Sequence, residues 1–113
     1  MMEHFTNPRN IGVLENPSAS AEARNDSCGD VMKLYLRVED GVVAAACFKT
    51  LGCAAAIAAS SALTEMLKHR TLREARALTK ERLNDALGGL PPVKHHALDL
   101  ALDALGAALR QVV

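Results

Sequence analysis

The most regular alternation of hydrophobic and polar residues lies between residues 31 and 38. One face of this segment carries the hydrophobic residues Met32, Leu34, Leu36 and Val38. The other face carries Lys33, Tyr35 and Arg37. A period of two predicts a half-buried β-strand. Glu39-Asp40-Gly41 is typical of a hairpin turn. We therefore expect residues 42 to 50 to return as a second strand, with Phe48 facing the core.

Beyond Gly52 the pattern changes from strand to helix. Residues 54 to about 69 are rich in alanine and leucine, which favour a long helix. Thr71, with Glu74 three residues later, predicts a capping box at the start of a second, shorter helix. Thr79 predicts the start of a third, which ends at the glycine pair 88–89. Four helices follow the strands once the C-terminal segment is included.

The last helix carries leucines at spacings of four, three and four on one face: Leu98, Leu102, Leu105 and Leu109. Its polar residues Asp99, Asp103 and Arg110 fall away from that stripe. Two prolines precede it, so we expect residues 90–94 to form an extended connector. Residues 1–27 show turn chemistry and no hydrophobic period, which predicts an irregular N-terminal segment.

Strands first and helices after predict an α+β fold, in which a small antiparallel β-sheet is covered by α-helices. A length of 113 residues suits one domain over residues 1–113. With two Phe, one Tyr and no Trp, the core must consist of aliphatic side chains and many alanines.

Charge and hydropathy exclude several classes of function. Thirteen basic and thirteen acidic residues cancel, and no basic stripe alternates with aromatic residues, so a nucleic-acid surface is not indicated. Apolar runs are shorter than the ~20 residues that cross a bilayer. The N-terminus lacks the pattern of a secretion signal. We expect a cytoplasmic protein that binds neither nucleic acid nor membrane.

Four potential metal ligands stand at predicted junctions between elements: Cys28, Asp30, Cys53 and His96. Cys28 and Asp30 precede the first predicted strand at a spacing of two. Cys53 starts the long helix, where the helix dipole favours a thiolate. Two thiolates, a carboxylate and an imidazole complete a tetrahedral set that suits Zn²⁺ and accommodates Fe²⁺. Spacing alone is a weak indication of a metal site, because each of these residues also has an ordinary structural interpretation.

Three segments of the chain, in order, resemble the CGDxMKL, FKTxGC and LPPVK segments of the IscU/NifU family of iron–sulfur cluster assembly scaffolds. They are Cys28-Gly29-Asp30-Val31-Met32-Lys33-Leu34, Phe48-Lys49-Thr50-Leu51-Gly52-Cys53 and Leu90-Pro91-Pro92-Val93-Lys94. Residues 7–12 resemble the family's NPRNxG opening. The resemblance covers nearly the whole chain from about His4 onward.

This resemblance implies a scaffold or carrier that binds iron or a [2Fe–2S] cluster, with zinc possible in the isolated protein. Its site residues would be Cys28, Asp30, Cys53 and His96. It also implies several partners: a cysteine desulfurase, a DnaK-type chaperone with its J-protein co-chaperone, and recipient apoproteins. The chaperone would grip residues 90–94. Such a scaffold is not an enzyme.

The family's pattern breaks at Ala97, where the LPPVKxHCS segment has a third cysteine that binds the cluster and accepts sulfur. Alanine can do neither. Cys47 precedes Phe48 in the second strand, so alternation places it on the opposite face, away from the site. His95 has two interpretations, a replacement ligand or a solvated residue at the helix start.

Ala97 leaves two main hypotheses open. The first is a scaffold or carrier that retains metal binding through the four remaining ligands. The second is a zinc-binding adaptor or regulatory paralogue that engages the assembly machinery without building clusters. A thiol or hydrolytic enzyme, with Cys28 or Cys53 as nucleophile beside His96, is the weakest alternative.

Overall fold

Three antiparallel strands, in the order β1-β2-β3, form a sheet with helices packed against it. The computed structural model describes residues 2–25 and 29–112. The strands are β1 Ala19–Asn25, β2 Asp30–Glu39 and β3 Val42–Leu51. The helices are α1 Met2–Thr6, α2 Ala54–Leu67, α3 Leu72–Arg76, α4 Lys80–Ala86 and α5 His96–Leu109. The predicted α+β class is confirmed.

The hairpin of β2 and β3 follows its local sequence. Asp40 and Gly41 adopt φ angles of 54° and 74°, as a two-residue turn between twisted strands requires. The predicted inner face of β2 is buried at Met32, Leu34 and Leu36. Phe48 lies opposite Leu34 and is also buried. Both predicted strands are therefore confirmed. Two positions differ from the predicted faces: Tyr35 on the polar face is buried, and Val38 on the inner face is half-buried.

The prediction that residues 1–27 are irregular is wrong for two segments. Ala19, Ala21 and Ala23 alternate with polar residues along β1 and are buried against the helical layer. Alanine is weakly hydrophobic and is not favoured in strands, so this alternation is hard to see in the sequence. Its small side chains let α5 lie directly on β1. The N-terminal helix α1, which packs on α2, was also missed.

Residues 7–12 are held to the rest of the fold by hydrogen bonds. The backbone N–H of Arg9 donates to the hydroxyl of Ser61 at 2.8 Å. Asn10 donates from its side chain to Thr64 and accepts the backbone N–H of Phe48. Ile11 forms an isolated parallel bridge with Phe48. This opening segment therefore lies against both β3 and α2.

The predicted helix caps are present. Thr71 and Glu74 form a reciprocal capping box at the start of α3. The hydroxyl of Thr79 accepts the N–H of Arg82 at the start of α4. Gly88 and Gly89, with φ of 78° and 85°, follow the end of α4. Across the described ranges, no helix has both the length and the apolar character needed to cross a membrane.

The connector between α4 and α5 is only partly extended. Pro91 is extended, but Pro92–Lys94 form a 3₁₀ turn in which Lys94 N–H donates to the Pro91 carbonyl at 2.8 Å. The prediction of an extended segment is therefore wrong for its last three residues. The fixed φ of proline is compatible with both conformations, so the sequence does not decide between them. In α5, Leu98, Leu105 and Leu109 of the predicted stripe are buried, whereas Leu102 is partly buried at the edge of the core.

Candidate metal centre

Three of the predicted ligands meet at one point of the fold. Asp30 is the first residue of β2, Cys53 is the N-cap of α2, and His96 is the first residue of α5. The Cys53 sulfur lies 3.7 Å from Asp30 Oδ2 and 3.9 Å from His96 Nε2. Asp30 Oδ2 and His96 Nε2 are 3.5 Å apart. The site thus joins the sheet to both long helices.

Asp30 anchors the site because it is almost completely buried, with 2% of its surface exposed. Its Oδ1 atom accepts the backbone N–H of Cys53 at 3.2 Å. A carboxylate at a helix N-terminus satisfies a free backbone donor and is favoured by the helix dipole. Its second oxygen remains directed at Cys53 Sγ and His96 Nε2.

Gly52 makes room for this carboxylate. A β-carbon on residue 52 would lie 2.8 Å from the Asp30 carboxyl carbon, closer than such atoms approach in proteins. The φ angle of Gly52 is not in the left-handed region, so the requirement is steric. Sequence reasoning took Gly52 only as a residue that ends the strand, and its spatial role was missed. The signal available in the sequence was the place of Gly52 in the Phe48–Cys53 segment, which resembles the family's FKTxGC motif.

His96 presents one defined nitrogen to the site. Its Nδ1 atom lies 3.2 Å from the carbonyl oxygen of Val93. A carbonyl can only accept, so Nδ1 carries the proton in this bond. The other ring nitrogen, Nε2, then faces Asp30 and Cys53, where a metal ion would bind its lone pair. A backbone carbonyl behind the ring is one of the common ways in which proteins orient a metal-binding histidine.

The three side chains fit a common metal ion. Bond lengths of about 2.0–2.3 Å to a tetrahedral metal place the ligand atoms about 3.3–3.8 Å apart. The observed Asp30–His96 and Cys53–Asp30 separations of 3.5 and 3.7 Å match that spacing. The Cys53–His96 separation of 3.9 Å is about 0.3 Å longer than a sulfur and a nitrogen on one tetrahedral ion require. Among the described residues, Asp30, Cys53 and His96 are the one group of three possible ligands that meets this proximity.

The fourth predicted ligand, Cys28, lies outside the described residues, together with Asp26 and Ser27. Cys47 lies on the sheet face opposite to buried Phe48, as predicted, and is half-buried. It is not part of the ligand group. His95 is not part of it either: its Nε2 atom lies 2.9 Å from the Leu90 carbonyl oxygen.

Ala97 is fully buried in the hydrophobic core. It follows His96 directly in α5, yet the two side chains are in different surroundings, because His96 is partly exposed. Residues 91–94 are exposed, and Val93 is 77% exposed. Leu90 is buried at 5% exposure and anchors that segment.

Sequence comparison shows the relationships of the chain. Residues 1–112 match the family described as NifU-like N terminal domain. An IscU iron–sulfur cluster assembly scaffold protein of Archaeoglobus fulgidus is 45% identical over 109 residues, which is 96% of this chain and 71% of the relative. The IscU scaffold protein of Escherichia coli K12 is 43% identical over 113 residues, which cover 96% of this chain and 88% of the relative.

Solved structures agree with this relationship. A NifU-like N-terminal protein from Brucella abortus superimposes with a TM-score of 0.79 at 27% identity, over 97% of this chain and 89% of that one. A SUF-system scaffold from Fervidobacterium islandicum, at 24% identity, shares the fold with a TM-score of 0.81 over 96% and 92% of the two chains. By the match over residues 1–112 and by identities above 40% to IscU scaffold proteins, this chain belongs to the NifU-like N-terminal domain family.

Proposed function

We propose that this protein is a scaffold or carrier for iron–sulfur cluster assembly, which binds iron or a [2Fe–2S] cluster as its cargo. The observation that carries the proposal is the convergence of Asp30, Cys53 and His96 within metal-binding distances. Relatives named as iron–sulfur cluster assembly scaffolds support it. Cys28, two residues before Asp30 in the sequence, is proposed as the fourth ligand.

Each proposed ligand has a distinct part in holding the cargo. Cys53 supplies a thiolate at the N-terminus of α2, where the helix dipole favours negative charge. Asp30 supplies a harder oxygen ligand that can be exchanged more readily than a thiolate. His96 supplies a neutral nitrogen that is oriented by Val93. A mixed ligand set of this kind suits transient cargo, because it binds less tightly than four thiolates.

The proposal includes the partners implied by the family. They are a cysteine desulfurase as sulfur donor, recipient apoproteins, and a DnaK-type chaperone with its J-protein that would bind residues 90–94. Exposure of residues 91–94 supports the last of these. We propose that the chain acts as a single domain over residues 1–113, in the cytoplasm, where thiol ligands stay reduced. It would turn over no substrate by itself.

Anaerobic reconstitution with iron, sulfide and a cysteine desulfurase tests this proposal. We expect a visible [2Fe–2S] chromophore with iron and labile sulfide in equal amounts. Cys53→Ser and Cys28→Ser should lose it, whereas the matched control Cys47→Ser should keep it, because Cys47 lies on the opposite sheet face. A colourless wild-type protein under these conditions would contradict the scaffold proposal.

A second candidate function is a zinc-binding adaptor that engages the assembly machinery without building clusters. Ala97 favours it, because a buried methyl group replaces the thiol that the family uses to accept sulfur. Elemental analysis of protein purified without oxygen separates the two functions. About one zinc per chain, and no cluster even in an Ala97→Cys variant, would establish the adaptor. Iron with labile sulfide would establish the scaffold.

A further inference from the structure

Both backbone polar groups of Leu90 are bound by side chains. Its N–H donates to Asn84 Oδ1 at 2.7 Å, and its carbonyl oxygen lies 2.9 Å from His95 Nε2. Asn84 belongs to α4, whereas His95 directly precedes α5. We call this arrangement the Leu90 clamp. It ties the connector to the helices on both sides.

The clamp assigns a function to His95 that neither sequence interpretation foresaw. Because the Leu90 carbonyl can only accept, Nε2 of His95 carries a proton in this bond. That nitrogen is therefore occupied and does not offer a lone pair to a metal. The bond also explains why His95 is partly buried although it stands at the start of a helix.

A stiff path leads from the clamp to the metal centre. Pro91 and Pro92 connect Leu90 to Val93, and their rings fix the two φ angles. The 3₁₀ turn that follows closes through the Lys94 N–H to the Pro91 carbonyl. Few torsions are therefore free between Leu90 and the Val93 carbonyl. That carbonyl accepts from Nδ1 of His96, whose other nitrogen faces Asp30 and Cys53.

We propose that Asn84 and His95 are positioning residues for the metal cargo. By holding Leu90 they keep the Val93 carbonyl behind His96, and so keep Nε2 of that ring directed at the site. The inference rests on the proposed function, since the cargo site is the one proposed there. It also couples two events, because any partner that draws the connector out breaks the clamp and frees the His96 ring.

Two pairs of variants test the clamp. His95→Leu and Asn84→Leu keep bulk but remove the bond to Leu90. His95→Gln and Asn84→Asp are the matched controls, because an amide N–H can donate to the Leu90 carbonyl and a carboxylate oxygen can accept its N–H. All four variants are compared with wild type by circular dichroism, which establishes that they fold.

The first readout is hydrogen exchange at the Leu90 amide in metal-free protein. We expect exchange at least tenfold faster in Asn84→Leu, which lacks the oxygen that accepts this N–H, and wild-type exchange in Asn84→Asp. His95→Leu keeps the bond to Asn84, so the His95 side of the clamp is tested by the metal titration that follows. Unchanged exchange in folded Asn84→Leu would overturn the clamp. This readout does not depend on metal binding.

The second readout is titration with Co²⁺, followed by its thiolate charge-transfer and d–d bands. Loss of a group that orients a metal ligand typically weakens binding by about 10–100-fold, and we expect that loss, with shifted bands, in the leucine variants. The controls should bind within about threefold of wild type. Faster Leu90 exchange with unchanged Co²⁺ affinity and spectrum would overturn the positioning role. The positioning role would also be overturned if the control variants lost as much Co²⁺ affinity as the leucine variants.

The two readouts also separate this inference from the proposed function. If wild-type protein binds no Co²⁺, the metal centre itself is refuted, and with it the positioning role, while Leu90 exchange still reports whether the clamp exists. If wild-type protein binds Co²⁺ and the leucine variants bind it equally well, the metal centre stands and only the positioning role is refuted.

Discussion

Gly52 and Asp30 approach so closely that a β-carbon on residue 52 would stand 2.8 Å from the Asp30 carboxyl carbon. The same carboxylate accepts the N–H of Cys53 and faces His96. The steric requirement at residue 52 is therefore also a requirement of the candidate metal centre. Any side chain there must move Asp30 from the position in which its two oxygens serve different partners.

Gly52→Ala is expected to weaken Zn²⁺ or Co²⁺ binding at least tenfold, because the displaced carboxylate can no longer meet Cys53 and His96. Isothermal titration measures the affinity. Gly106→Ala is the matched control: it lies inside α5, and its new β-carbon would meet nothing closer than Arg110 Nη1 at 3.8 Å. That control should gain about 0.5–1 kcal/mol of stability and keep its metal affinity. Equal affinity in both variants would contradict the steric argument.

Asp30→Asn is expected to stabilise the metal-free protein and, at the same time, to weaken its binding of zinc. Removing a buried charge should raise the unfolding free energy of the metal-free protein by about 1 kcal/mol, since a neutral amide is cheaper to bury and can donate to His96 Nε2. The stabilisation conferred by zinc should fall, by about 2.7 kcal/mol if the affinity drops 100-fold under saturating conditions. Urea unfolding with and without zinc measures both. Asp103→Asn, on the exposed face of α5, should change neither. A less stable metal-free Asp30→Asn variant would count against this account.

Ser61→Ala is expected to release the N-terminal segment. The buried Ser61 hydroxyl accepts the N–H of Arg9 and bonds to His4 Nδ1. Its loss should cost about 1–3 kcal/mol and expose residues 1–12 to limited proteolysis, which mass spectrometry can map. The control is Ser60→Ala, whose hydroxyl bonds instead to Thr50 and the Ala56 carbonyl. Cleavage at the same rate in both variants would argue against a specific anchor.

Glu74 gives the α3 capping box a pH dependence. The backbone N–H of Thr71 holds the pKa of the Glu74 carboxyl below its ordinary value of 4.5, and the Thr71 side chain and Arg70 lower it further. A depressed pKa stabilises the fold above the unfolded value, and this contribution is lost as the pH falls through the folded pKa. Glu74→Gln keeps an acceptor but cannot titrate. Its unfolding free energy should decline less steeply than that of wild type below pH 4.5. Urea melts at several acidic pH values measure these free energies. If they declined in parallel for the variant and the wild type, the pH dependence assigned to Glu74 would be refuted.

Local patterns in the sequence were sufficient to predict much of the fold. The β2–β3 hairpin depends on a period of two and a turn whose residues accept positive φ. The caps at Thr71 and Thr79 depend on residues three positions apart. Four candidate ligands could also be named in advance, because they stand near the junctions between elements and the order of the motifs indicated their family. The structure brings three of them together: Asp30, Cys53 and His96.

The tertiary structure decided the features that depend on contacts between residues distant in the sequence. β1 is a strand because Ala19, Ala21 and Ala23 fill the narrow space beneath α5, which no local alternation of alanine could reveal. The need for glycine at residue 52 arises only when β2 brings Asp30 beside it. His95 can reach the Leu90 carbonyl because residues 92–94 form a 3₁₀ turn and do not continue as an extended segment. The sequence by itself thus determined which groups can bind a metal, and the packing of sheet against helices determined how those groups meet.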